Sequence, residues 1–90
     1  MSRLEIIHLR MSGGSSVVLE RQITQSIKGE ADDAGIVTIY RQDGLESDMA
    51  IHIRHPEAKG EHRPGPLGVR LAAALRDYGL VEHTVWEELT

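Results

Sequence analysis

IVTIYRQDGLESDMAIHIRH, residues 36–55, decides the fold. Ile36–Gln42 and Asp48–His55 each alternate apolar and polar residues with a period of two, as a strand does when successive side chains point to opposite faces. Asp43-Gly44 between them is a turn signal, in a loop expected to exceed the minimal two residues, so the pair reads as an antiparallel hairpin. Met49, Ile51 and Ile53 give the second strand a core face and leave Ala50, His52 and Arg54 opposite.

On the N-terminal side, Leu19, Ile23 and Ile27 recur every fourth residue among Glu20, Arg21, Gln22 and Gln25, the single buried stripe of an amphipathic helix. Ser15 or Ser16 is placed to cap it, Lys28 suits its negative end, and Gly29 is expected to stop it in the left-handed conformation. Ahead of it, Leu4–Met11 (LEIIHLRM) reads as a strand with apolar groups on both faces: Ile7, Leu9 and Met11 on one, Leu4 and Ile6 with His8 and Arg10 on the other. On the C-terminal side, Pro56–Pro66 holds all three prolines and no branched aliphatic residue, as an exposed loop would. Leu67, Leu71, Leu75 and Tyr78 then mark a second amphipathic helix closed by Gly79, and Leu80–Leu89 alternates again as a last strand. The order β-α-β-β-α-β over residues 1–90 predicts one ferredoxin-like α+β domain. It is a four-stranded antiparallel sheet with both helices on one face, the strands ordered fourth, first, third, second.

Composition narrows the function. Ninety residues, 40% of them apolar, suffice for one small core. Ten basic against fourteen acidic residues leave a formal charge of −4, without the basic footprint that phosphate backbones demand, so no nucleic-acid binding is expected. RNA recognition on this topology would also need aromatic platforms on the central strands, where His8 and His52 stand instead. The absence of cysteine removes disulfides, thiolate metal sites and a cysteine nucleophile. No apolar run is long enough for a membrane span or a secretion signal, and a cytoplasmic setting is expected.

The second sheet face carries the functional expectation. With Ile7, Leu9, Val37, Ile39, Met49, Ile51, Ile53, Val81 and Val85 turned to the helices, the other side receives Leu4, Ile6, His8, Arg10, Ile36, Tyr40, Ala50, His52, Arg54 and Trp86. That set is too apolar to face water, since soluble monomers seldom expose more than about 300 to 600 Å² of contiguous apolar surface. A second copy packed sheet to sheet is the simplest cover, because a two-fold interface uses one patch twice. The element order and this open apolar face resemble the ferredoxin-like α/β-barrel proteins that dimerise through their sheets, including antibiotic-biosynthesis monooxygenase-type and stress-responsive barrel domains. The resemblance spans the whole chain and implies a homodimer; no family motif is matched, so it assigns no catalytic residue. The element order, with Gly13-Gly14 at the first strand-to-helix turn, also resembles ACT domains, which are small-molecule-binding regulatory modules.

His8, Arg10, Tyr40, His52, Arg54 and Trp86 are the expected ligand-binding residues, a set suited to an anionic or aromatic small molecule because arginine forks bind anions and histidine titrates near neutral pH. The plainer account has the histidines hydrogen-bonding across a dimer interface. The expected function is a homodimeric binding or regulatory module. The alternatives are a cofactor-independent monooxygenase-like or isomerase-like enzyme, with His8 or His52 as proton acceptor and Arg10 or Arg54 stabilising negative charge, and a purely structural interaction domain. No cofactor and no metal are expected: His52 and His55 fall on opposite strand faces, and His55, Glu57, Glu61 and His62 lack ligand spacing. His83 is expected to turn towards the helices as a satisfied core histidine. Gly13-Gly14-Ser15-Ser16 reads as a turn and cap, without the spaced glycines and lysine of a phosphate loop.

Overall fold

The computed structural model describes residues 2–12, 17–30, 36–55 and 65–90. Its elements are β1 (Arg3–Met11), α1 (Val17–Glu30), β2 (Ile36–Gln42), β3 (Leu45–His55), α2 (Pro66–Leu75) and β4 (Gly79–Glu87). The strands pair antiparallel in the order β2-β3-β1-β4, the expected ferredoxin-like α+β arrangement. The expected turn and cap at residues 13–16, the side chain of Ile36 and most of the proline-bounded loop lie outside the described residues.

Strand parity builds the core. Ile7, Leu9 and Met11 of β1 and Met49, Ile51 and Ile53 of β3 are buried against Ile23 and Ile27 of α1 and Leu67, Leu71, Ala72 and Leu75 of α2, with Val37, Ile39 and Val81 packed alongside. Full burial of one such aliphatic side chain stabilises by about 1.5 to 3 kcal/mol, which explains why both helices press on this side of the sheet.

Several boundaries depart from the sequence reading. Gly29 lies inside α1 with ordinary helical backbone, so it is not a left-handed stop; among the described glycines only Gly44 has positive φ, 81°, as the Asp43-Gly44 turn requires. That turn is shorter than expected: Gln42 pairs with Leu45 directly, and pairing then resumes at Arg41 and Met49. Glu46, Ser47 and Asp48 are left without β2 partners, a bulge within β3. Pro66 opens α2, where its missing N–H costs nothing, instead of belonging to the loop. α2 ends at Leu75, so Tyr78 packs on the core from the following turn. Gly79 begins β4, where a Cβ would lie 2.0 Å from the Arg10 carbonyl oxygen; close backbone approach, not a helix cap, demands glycine there.

Candidate functional site

The face turned away from the helices is organised in rows across the strands. From β4 through β1 to β3 these are Trp86, Leu4 and Arg54; Thr84, Ile6 and His52; Glu82, His8 and Ala50; and Leu80, Arg10 and Asp48. β2 adds Thr38 opposite His52 and Tyr40 opposite Ala50. All six expected ligand-binding residues therefore share this face, but they do not meet at one point. The rows of Trp86 and Arg10 are six residues apart along β1, about 20 Å. His8 and Arg10 stand together at one end, Tyr40 and His52 pair in the middle with ring centroids 4.7 Å apart, and Trp86 stands with Arg54 at the far end. The Trp86 indole N–H donates to Thr84 Oγ1 at 2.8 Å, which fixes the ring while leaving it 57% exposed.

Asp48 changes the chemistry expected at the Arg10 end. In regular register with β1, Asp48 stands opposite Arg10 and diagonal to His8, so its carboxylate meets His8 Nε2 at 2.7 Å and Arg10 Nε at 3.5 Å, and the Ser47 hydroxyl donates to its other oxygen at 2.8 Å. The side chain is only 2% exposed although it lies on the face without helices. Ser47, then His8 and Arg10, hold the Asp48 carboxyl below the usual aspartate range against the opposing pull of burial. The His8 and Arg10 end of the expected ligand site thus holds a buried carboxylate bonded to the imidazole, with a guanidinium at its flank. A cleft of about 250 Å³ opens beside it, lined by His8, Arg10, Leu80, Val81 and Glu82.

A second cluster lies on the helix side and was not anticipated. Glu5 shares the parity of Ile7, Leu9 and Met11 and is completely buried. Its Oε2 meets His55 Nε2 at 2.5 Å; its Oε1 meets His83 Nε2 at 3.0 Å and accepts the Gly65 backbone N–H at 3.2 Å. The register partners of Glu5 are Ile53 and Val85, so both imidazoles reach it diagonally from two residues away on the flanking strands. Gly68 makes the room: a Cβ there would stand 2.1 Å from Glu5 Oε1. His83 is accordingly the satisfied core histidine expected, and His52 and His55 do point to opposite faces. The signal for Glu5 was present in strand parity, which put a carboxylate in the core stripe of β1; a buried carboxylate requires donors, and the histidines of matching parity at the same end of the sheet supply them. No three His, Cys, Asp or Glu side chains among the described residues are arranged to hold a metal ion.

No helix among the described residues is long and apolar enough to cross a membrane. No family model matches the chain, and no curated protein matches it in sequence. In three dimensions it is similar to the solved structure of Rv0793 from Mycobacterium tuberculosis, with a TM-score of 0.65 over all of this chain and 97% of that one at 15% identity, a likeness of fold.

Proposed function

We propose that the protein is a small cytoplasmic binding module of the dimeric α/β-barrel type, whose two copies pack open face to open face around a site for a small anionic or aromatic molecule. The observation that carries the reading is the exposure of Trp86, Tyr40 and Leu80 on one sheet face beside the half-buried Leu4 and Ile6. Four strands about 4.8 Å apart and on average nine residues long, at about 3.4 Å each, present roughly 20 by 30 Å. Two such faces bury about 1,200 Å², the lower bound for a stable interface, and interdigitating side chains add to it. Closure by a second copy would roof the His8–Arg10 cleft and turn an open groove into a pocket.

Sedimentation of the protein at micromolar concentration tests the dimer, and a folded monomer there refutes it. A thermal-shift screen with anionic and aromatic metabolites tests the site: a stabilising ligand is expected whose effect is lost in Arg10→Ala. A dimer that responds to none of them favours a purely structural interface.

The Asp48–His8 pair supports a second, enzymatic reading of the same end. A carboxylate bonded to one imidazole nitrogen orients the ring and stabilises the imidazolium formed when the other nitrogen takes a proton. Arg10 then lies where negative charge would develop, in a monooxygenase-like or isomerase-like reaction that begins with proton removal. Of the two histidines expected as acceptors, only His8 has such a carboxylate partner among the described residues. Turnover of phenols or enolisable carbonyl compounds should fall in His8→Ala and Asp48→Asn with folding retained; unchanged turnover in both removes this reading.

A further inference from the structure

The cleft beside His8 carries charges of both signs that leave each other unpaired. Leu80 on β4 stands directly opposite Arg10 on β1 and Glu82 directly opposite His8, so Glu82 is the diagonal neighbour of Arg10. Diagonal neighbours lie about 7 to 8 Å apart, within reach of long side chains. No ion pair joins these two, and neither side chain forms a hydrogen bond to a described residue. Arg10 approaches Asp48 through Nε at 3.5 Å and keeps its side chain 63% exposed; Glu82 is exposed as well. Both line the cleft of about 250 Å³, together with Leu80 and Val81.

Resting on the binding-module reading of this end of the open face, we infer that the cleft takes a free amino acid with an apolar side chain. A guanidinium holds a carboxylate with parallel charge-assisted bonds, and a carboxylate accepts such bonds from an ammonium group. A ligand with a single charge meets a like charge in the cleft: an anion is opposed by Glu82 and Asp48, a cation by Arg10. A zwitterion meets both signs with opposite ends and has no net charge for the second carboxylate to repel. The oxygens of Asp48 are already engaged by His8 and Ser47, so Glu82 is the acceptor left for the ammonium and Arg10 the donor for the carboxylate. Leu80, 75% exposed, gives the side chain of the ligand an apolar surface to cover. The volume falls below the roughly 300 to 1,000 Å³ of sites for drug-sized molecules, which suits a single small metabolite. The ligand class thereby narrows from anions and aromatic molecules at large to those whose carboxylate has an ammonium beside it.

The test is a calorimetric titration of the intact protein with L-phenylalanine, with hydrocinnamate, which is the same skeleton without the ammonium, and with phenethylamine, which lacks the carboxylate. Phenylalanine should saturate and bind roughly tenfold or more tightly than either analogue. Glu82→Gln should erase the preference over hydrocinnamate, and Arg10→Gln the preference over phenethylamine, each leaving the other preference in place. Both side chains are exposed, so neither substitution disturbs the core. Phenylalanine that does not saturate, phenethylamine that binds as tightly, or either preference surviving its own substitution overturns the inference. Hydrocinnamate binding as tightly as phenylalanine overturns it too, while leaving the anion-binding reading of the open face standing. A folded monomer that still prefers phenylalanine upholds the amino-acid site and refutes the dimer instead.

Discussion

Replacing Gly68 by alanine should destabilise the domain by about 2 to 3 kcal/mol, although the same change inside an unencumbered helix stabilises by about 1 kcal/mol. The new Cβ would lie 2.1 Å from Glu5 Oε1, 3.0 Å from Glu5 Cδ and 3.1 Å from His83 Cε1. Non-bonded heavy atoms settle near 3.5 Å, so the carboxylate must retreat by about 1 Å or more. It cannot do so freely, because Oε1 holds His83 at 3.0 Å and the Gly65 N–H at 3.2 Å. Hydrogen bonds to a charged group are worth about 1.5 to 3 kcal/mol each, and stretching both, with some rebonding, costs about 3 to 4 kcal/mol. Subtracting the helix gain gives the net figure, a drop of roughly 10 to 20 °C in Tm for a domain of this size. Urea and thermal unfolding measure it. Gly29→Ala is the internal control: it adds a Cβ in α1 with nothing within 4 Å and should stabilise by about 0.5 to 1 kcal/mol. In a Glu5→Ala background the closest obstruction is gone and His83, 3.1 Å from the new Cβ, has lost the carboxylate that holds it in place, so Gly68→Ala should change sign and become stabilising. If Gly68→Ala stabilises the wild type as Gly29→Ala does, or if its effect simply adds to that of Glu5→Ala, the packing of Glu5 against α2 is refuted.

Asp48→Asn should flatten the acid limb of the stability curve. A carboxyl held low in the folded state contributes stability in full above its unfolded value, about 3.9, and loses that contribution as pH falls through the folded value. The wild type should therefore lose stability below about pH 4 more steeply than the variant, and parallel acid curves would remove Asp48 from the His8–Arg10 cluster. Gly79→Ala should cost at least about 2 kcal/mol in chemical denaturation, because the atom it would meet is a backbone oxygen that no rotamer change can move aside. Trp86→Lys and Leu80→Lys each place a charge within the proposed two-fold interface, at opposite ends of β4, and light scattering should show a shift from dimer to monomer; dimers that persist in both would place the interface elsewhere.

What was legible in the sequence was mostly parity. The alternation of IVTIYRQ and DMAIHIRH and the two-faced strand LEIIHLRM sort Ile7, Leu9, Met49, Ile51 and Ile53 from His8, Arg10, His52 and Arg54, and the strand order follows from the element order. Glycine roles were less legible, because a composition signal does not say whether a glycine serves a turn, a cap or a close approach. Gly29 looked like a helix stop and is ordinary helix; Gly79 looked like another and is a point of contact between β4 and β1. The site was legible as a set of residues on one face and illegible as a geometry. Parity puts Asp48 on the face of His8 and Arg10 but does not give the β1–β3 register that sets it opposite Arg10 and diagonal to His8, nor the bulge that leaves Glu46, Ser47 and Asp48 without β2 partners. Parity did place Glu5 in a core stripe, and a carboxylate where hydrophobic pattern demands an aliphatic residue is itself a pointer to a buried polar cluster.

The two carboxylate–imidazole bridges also resolve a register that hydrophobicity leaves open. Sliding β3 by one residue against β1 would turn every core side chain to the open face, so parity alone excludes it. A slide by two residues that set His55 opposite Glu5 would keep parity and still pair Ile7 with Ile53, Leu9 with Ile51 and Met11 with Met49. In the observed register both bridges are diagonal and in opposite senses: His55 lies two residues beyond the direct partner of Glu5, whereas Asp48 lies two residues short of the direct partner of His8. The slide that straightens the first bridge therefore carries Asp48 opposite Ser12, four residues from His8 or about 13 Å, and breaks the second. One bridge stands on each face of the same strand pair, so neither can be relieved without losing the other, and the polar residues on β1 and β3 select among alignments that the apolar ones treat as equivalent.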